Sequence, residues 1–293
     1  MQNVTKKQIE NFLEDERDKS NSTIKKDYGM LKRIFEFAYL KGYIKENYFE
    51  GLEKIEKSKS VKKDKDVTAL TIEEQNILEK YMDKHYSKYN NIILLALHTG
   101  MRIGEILALT LADIENNEKI VVNKTLTRNM NGKTTVGDTK TKNGNRIIML
   151  REKTKKIINN AIKEMKPNKK NILFLRDDNQ YYTDGNINGA FKRICKDAGI
   201  RVINIKKKKQ NGTIVNLKSS SVSTHMIRHS FVTRCIEAGI DATVIKNLVG
   251  HRDISTTINI YGDIFNYYKQ QELDKYDKYL EEAKSKFEKA DER

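Results

Sequence analysis

The chain has 293 residues, with 56 Lys+Arg against 40 Asp+Glu and a formal net charge of +16. Hydrophobic residues make up 38%, enough for packed cores, and at roughly 150 residues per domain the length predicts about two domains. The charge disfavours a polycationic partner and favours a polyanion such as DNA, RNA or an anionic membrane, with solubility alone as the competing reading. The polar start from Met1 to Glu10 holds no secretion signal, the longest apolar run, Ile92 to Leu97, is too short for a bilayer, and two cysteines, Cys195 and Cys235, build no disulfide framework and no C-x-x-C zinc spacing.

The expected elements run as follows. A first helix, about Lys6 to Arg17, buries Ile9, Phe12 and Leu13. Ser22 caps a second, in which Ile24, Tyr28, Leu31, Phe35 and Ala38 recur at helical spacing, and Gly42 stops it. Glu53 to Asp66 has almost nothing to bury and reads as a linker, which predicts a helical domain over 1–66 and a second domain over 67–293. That second domain opens with a capping box, Thr71 with Glu74. Asn91 to Ile114 is apolar with helical period, broken at Thr99-Gly100. The period then changes: Lys119 to Arg128 and Asn145 to Leu150 are rich in β-formers, with Gly132, Gly137 and Gly144 at turns, and predict a small antiparallel sheet. Helices resume at about Arg151 and Asn186. Arg201 to Lys218 reads as a second hairpin, with the bases Arg201, Lys206, Lys207, Lys208, Lys209 and Lys218 and no acid. From Thr224 the chain is helical again, with breaks at Gly239 and Gly250. The fold class is therefore mainly α with a small antiparallel β-sheet.

Five short motifs could carry chemistry. In Thr99-Gly100-Met101-Arg102-Ile103-Gly104-Glu105, an arginine stands at a helix start, where its donors add to the anion-attracting end, and Glu105 lies one turn on. Thr141-Lys142-Asn143-Gly144 is a turn with a lysine at its tip. In His225-Met226-Ile227-Arg228-His229, His225 and Arg228 share a helix face, and an imidazole beside a guanidinium suits a phosphate oxyanion. His225 and His229 also have metal spacing, but Arg228 between them opposes a cation and no third ligand is evident. Gly250-His251 follows a helix break, and Tyr261 stands ten residues beyond His251. Taken singly, each has a plainer reading: a surface ion pair, a solvated hairpin, a packed tyrosine.

Together and in this order, the motifs resemble the tyrosine recombinase (phage integrase) family over about residues 1–265. The family's pattern is an arginine in T-G-x-R-x-x-E, a lysine on a β-hairpin, H-x-x-R, a G-H, then a nucleophilic tyrosine nine or ten residues on. Here these positions are Arg102, Lys142, His225, Arg228, His251 and Tyr261, with Lys140 two residues from the assigned lysine. The neighbours His-Met-Ile-Arg-His-Ser-Phe and Gly-His-Arg-Asp-Ile-Ser-Thr-Thr fit as well.

The resemblance implies a two-domain architecture, a helical core-site DNA-binding domain followed by a mixed catalytic domain, and a site-specific recombinase of a phage or conjugative transposon. The arm-binding domain of many such integrases does not precede these helices, which reads as a naturally short or a truncated member. Tyr261 would attack the scissile phosphate, giving a 3′-phosphotyrosyl enzyme and a free 5′-hydroxyl. Arg102 and Arg228 would hold the transition-state charge, His225 would act as base, Lys142 would protonate the 5′-oxygen, His251 would donate to a phosphate oxygen, and Glu105 would support Arg102. No metal or cofactor is implied. The expected partners are double-stranded DNA, further copies of the chain in a tetramer on DNA, and an accessory excision factor, in a cytoplasmic setting with no membrane. The polar segment Tyr267 to Arg293 carries a narrow stripe, Tyr268, Leu273, Tyr276, Leu280, Ala283 and Phe287, which in the family would dock on a neighbouring subunit; packing on its own domain is the other reading. Rival functions are a type IB topoisomerase, a non-catalytic DNA-binding protein on the same fold, and a zinc hydrolase.

The charge divides unevenly. Residues 1–66 hold 16 Lys+Arg and 13 Asp+Glu, so most of the excess lies beyond them. A few cations would act on one phosphate, while Lys206, Lys207, Lys208 and Lys209 would hold duplex DNA through its backbone.

Overall fold

Thr5 opens the first helix, α1 (Lys6–Asp15), by a reciprocal cap: its hydroxyl accepts the Gln8 N–H at 3.3 Å and Gln8 Oε1 accepts the Thr5 N–H at 2.9 Å. The computed structural model describes residues 4–19, 21–50, 69–128, 134–138, 144–208, 214–250, 273 and 276–282. The chain divides into two units, Met1–Asp66 and Val67–Arg293.

In the first unit, α1 and α2 (Asn21–Leu40) bury Ile9, Leu13, Phe35 and Ala38 together with Ile44 and Phe49. Tyr28 meets Phe49 edge-on at 5.5 Å, and Leu31 is half-buried beside this core. Two expectations are corrected. Phe12 is 45% exposed, because Ile9 and Leu13, one turn apart, already fill the inward stripe. The second helix begins at Asn21, so Ser22 lies inside its first turn instead of capping it. Gly42 does end that helix: its φ of 70° lets its N–H reach Tyr39 O at 2.9 Å and the Tyr43 N–H reach Ala38 O at 2.8 Å, closing the last turn. The linker expected over 53–66 lies outside the described residues.

The second unit begins with α3 (Ile72–Lys84), whose cap is the expected pair of Thr71 and Glu74. Next is α4 (Asn90–Thr99), which is apolar on nearly every face and correspondingly central, burying Ile92, Ile93, Leu95, Ala96 and Leu97. The short α5 (Ile103–Leu107) follows. Then come β1 (Ile114–Glu115), β2 (Lys119–Val122), β3 (Lys124–Arg128), β4 (Thr134–Asp138) and β5 (Arg146–Met149). The antiparallel expectation holds, but not as one sheet. β1, β2 and β5 form a three-stranded sheet in that order, with Ile120 opposite Ile148, while β3 and β4 form a separate hairpin. The stretch from Lys119 to Arg128 divides at Asn123, so its two halves pair with different partners. Gly137 lies within β4 opposite Thr125 and not at a turn, a position tolerated on an edge hairpin.

Further on, α6 (Glu152–Glu164) and α7 (Asp184–Asp197) cover the core, α7 opening two residues before the expected Asn186, which instead completes the cap on Thr183. The second hairpin is β6 (Val202–Lys208) with β7 (Ile214–Ser220). Arg201, counted with its bases, is not one of its solvent cations: its guanidinium grips Glu74 at 2.8 and 2.9 Å and the Ala69 carbonyl at 2.7 Å. α8 (Thr224–Glu237) ends near Gly239, and α9 (Ala242–Val249) ends at Gly250, both glycines at positive φ. Residues 276–282 are helical. Among the described residues no helix is long and apolar enough to cross a membrane.

Candidate active site

The site is built where three helix ends meet. Gly100 closes α4 with φ +65°, and a Cβ there would stand 2.4 Å from Phe231 Cδ1 and 3.0 Å from Val249 Cγ1. Only glycine allows both the left-handed turn and this approach of α4 to α8 and to the end of α9.

The approach places the last carbonyls of α9, which have no intrahelical donors, within reach of cations. Arg228, on α8, spans the junction: Nη1 donates to Gly100 O at 2.7 Å and Nη2 to Val249 O at 2.6 Å. Arg102 Nη2 donates to Gly250 O at 3.2 Å, and Arg146 Nε donates to Leu248 O at 2.8 Å. Three arginines from distant parts of the sequence thus hold three consecutive carbonyls. The two sequence-predicted arginines are brought side by side by this bracket.

Glu105 orders the arginines further. Its side chain is 2% exposed and its carboxylate accepts four hydrogen bonds. Oε1 takes Arg102 Nη1 at 2.8 Å and Arg146 Nη1 at 3.2 Å; Oε2 takes the Arg102 backbone N–H at 2.9 Å and Arg146 Nη2 at 2.7 Å. Burial pushes its carboxyl up, but the bonds and charge of Arg146 and then those of Arg102 outweigh it and hold the group below the ordinary carboxylate range. Arg102 itself remains 47% exposed, so its outer edge faces solvent. Gly104 lets this turn sit on β3: a Cβ there would meet Thr125 Oγ1 at 2.7 Å.

His225 is exposed on α8, one turn before Arg228. His229, a turn after His225, is held below the ordinary histidine range by burial and then by the charges of His225 and Arg228. Among the described residues no three His, Cys, Asp or Glu side chains come together as a metal site. Lys142, Lys140, His251 and Tyr261 lie outside the described residues. So do the side chains of Lys206 to Lys209, although the backbone of Lys206, Lys207 and Lys208 is in β6.

Arg146 is the residue that sequence reasoning missed. A signal was present: in an alternating strand it shares the phase of Ile148 and Leu150, both buried, so an arginine stands on the inward face.

The phage integrase family model matches residues 66–266, more than half of the chain. The chain belongs to the phage integrase family. Among curated members, it is 28% identical over 205 residues to the transposase of transposon Tn916 from Enterococcus faecalis, a match covering 67% of this chain and 47% of that one. The chain therefore spans about half the length of that relative. It is 25% identical over 292 residues to the ICEBs1 integrase of Bacillus subtilis, covering 96% and 72% of the two chains. Among solved structures, the Tn1549 transposon integrase in complex with a circular intermediate DNA superposes with a TM-score of 0.68 at 25% identity, covering 92% of this chain and 86% of that one. The same integrase with transposon right end DNA gives 0.67 at 26% identity, covering 92% and 85%. The integrase fold, mainly helical with small antiparallel sheets, is thus the fold of this chain.

Proposed function

We propose that the protein is a site-specific DNA recombinase of a mobile element, which cuts and rejoins strands through a 3′-phosphotyrosyl intermediate. The observation that carries this reading is the pair of guanidiniums, Arg102 and Arg228, fixed on consecutive carbonyls at the end of α9, with His225 a turn away on α8. Pentavalent phosphorus spreads negative charge over its nonbridging oxygens. Two fixed forks of donors answer that charge, and losing one costs about 3–4 kcal/mol of barrier, as for loss of an oxyanion donor.

Tyr261 is the nucleophile. A phenol of pKa about 10 needs a base at neutral pH, and His225 takes that role. Attack forms the Tyr261–phosphorus bond and breaks the bond to the 5′-oxygen, which leaves with a proton from Lys142 or its neighbour Lys140. His251 donates to a phosphate oxygen, and Glu105 supports Arg102. A 5′-hydroxyl of a partner duplex reverses the step, so the phosphodiester is conserved and no nucleotide cofactor is needed. Arginines take the electrostatic role that a metal would otherwise fill.

The partners are double-stranded recombination sites and further copies of the chain, four on DNA, with an accessory factor for excision. The relatives found with transposon DNA support the first. Leu273, Tyr276 and Leu280 are exposed, which supports docking of the C-terminal segment on a neighbouring subunit. Residues 1–66 bind the core site with the catalytic unit, Lys206–Lys209 hold backbone phosphates, and the setting is cytoplasmic.

A duplex nicked beside the scissile phosphate tests the chemistry, because the released fragment diffuses away and traps the adduct. Native protein forms a covalent complex and Tyr261→Phe forms none. Failure of the native protein, or an adduct with Tyr261→Phe, overturns the mechanism. Recombination of two sites, in contrast to plasmid relaxation alone, separates a recombinase from a topoisomerase.

A further inference from the structure

We infer that Arg146 is a positioning residue of the cleavage site, which keeps the positive charge of Arg102 available to the scissile phosphate. The inference rests on the proposed role of Arg102.

Charge balance carries it. With Glu105 alone beside it, Arg102 would form a closed neutral pair, and a neutral pair draws an anion weakly. Arg146 changes that balance. It adds a second guanidinium to the same carboxylate, at 3.2 and 2.7 Å, so the cluster of Arg102, Glu105 and Arg146 is a net monocation. The two arginines are not equivalent. The Arg146 side chain is 6% exposed, whereas Arg102 is half-exposed. A buried, fully engaged guanidinium answers the carboxylate, and the exposed one keeps an unmatched charge facing outward. The Arg102–Glu105 contact is then a geometric brace more than a neutralising pair.

Geometry adds a second role. Arg146 Nη1 also donates to Gly144 O at 3.2 Å, and Nε donates to Leu248 O at 2.8 Å. Gly144 is the last residue of the lysine-bearing motif, two after Lys142, and Leu248 is three residues before His251. One side chain therefore ties the end of the lysine turn, the carboxylate that braces Arg102 and the helix end that leads to His251. Lysine would not substitute for it, since one ammonium does not present a planar fork to a carboxylate while donating to two carbonyls.

The test compares two scissile groups. Single-turnover cleavage is measured at saturating nicked duplex, once with the natural phosphodiester and once with an uncharged methylphosphonate at the scissile position. Arg146→Gln lets Glu105 neutralise Arg102. It slows phosphodiester cleavage about 100-fold, the scale of one lost oxyanion donor, but slows methylphosphonate cleavage less than about 5-fold, because that group carries no charge to be answered. Arg146→Lys keeps the charge and holds the ratio of the two rates within about threefold of native, even where both rates fall through lost geometry.

A purely structural role would slow both substrates alike. Equal losses in Arg146→Gln, or unchanged phosphodiester cleavage, overturn the inference. If Arg146→Gln does not fold, Arg146→Met, which removes the charge and keeps an apolar stem, decides: a phosphodiester loss at least about tenfold greater than the methylphosphonate loss supports the inference, and equal losses overturn it. If native protein forms no adduct on either substrate, the phosphotyrosyl reading fails instead, so the two failures are distinct.

Discussion

Glu105 and Glu79 are both partly or fully buried carboxylates with basic partners, and their surroundings differ. Glu105 is held by two arginines, one buried and one half-exposed, so a net positive charge remains at the surface. Glu79 accepts from Gln75 Nε2 at 3.0 Å, lies 3.2 Å from His98 Nε2 and pairs with Lys153. His98 is two residues before Gly100, so α4 carries one cluster on its last turn and opens the other at its cap. In the Glu105 cluster every side-chain donor is a rigid fork that also holds a carbonyl at the end of α9. In the Glu79 cluster the partners are a histidine ring, an amide and a flexible, exposed lysine. Geometry fixed by planar forks suits a site that must present charge in one place; a flexible ammonium suits a surface brace.

The largest effect comes from the buried carboxylate. Glu105→Gln leaves the Arg146 guanidinium buried without its anion, and unfolding in urea should show a loss of about 3–5 kcal/mol, the cost of breaking a buried pair from one side. A loss of only about 2 kcal/mol or less would put this cluster in the same class as Glu79. Gly100→Ala follows. Its Cβ would lie 2.4 Å from Phe231 at a φ of +65°, so strain and overpacking together predict about 2–4 kcal/mol, by the same measurement. The carbonyl that Arg228 holds belongs to this residue, so cleavage should fall further than stability alone explains. Glu79→Gln should cost less than either, about 2–3 kcal/mol, because its lysine partner is exposed and Gln75 retains an acceptor. It should leave cleavage of a nicked duplex near native. A strong loss of cleavage in Glu79→Gln would show that the two clusters act as one.

Much of this arrangement was legible in the sequence. Gly100 and Gly250 mark the helix ends, and Arg102, His225 and Arg228 lie where the motifs put them. These features are local: a turn needing positive φ, or two residues sharing a helix face, is written within a few positions. Arg146 was not read, because its burial depends on Glu105 and on α9, whose end arrives about a hundred residues later in the chain. The same limit explains the strands. The composition of Lys119 to Arg128 speaks for β structure, but the division at Asn123 between two sheets is decided by which partners return. Phe12 is a third case: its spacing fits the inward stripe of α1, and only the size of the small core shows that Ile9 and Leu13 already fill it.

The smallest effect is one of pH, and it separates the two carboxylates without altering the site. Burial pushes the Glu79 carboxyl up, while the close approach of the His98 ring and hydrogen bonds from Lys153 and Gln75 outweigh that and bring it from an ordinary 4.5 to about 2. A carboxyl lowered in the folded state binds its proton more readily in the unfolded chain, so stability falls as pH drops. The contribution of Glu79 is complete above about pH 5, fades as the unfolded chain takes up its proton near pH 4.5, and is gone near pH 2. Native protein and Glu79→Gln, compared by urea unfolding, should therefore differ by a constant amount from pH 7 to about pH 5 and converge below it. The protonated carboxyl and the amide are both neutral, which is why the curves meet. A gap that stays constant down to pH 3 would mean that ionised Glu79 stabilises the fold no more than its protonated form does, and the charges around it would then play no part in the difference from the amide.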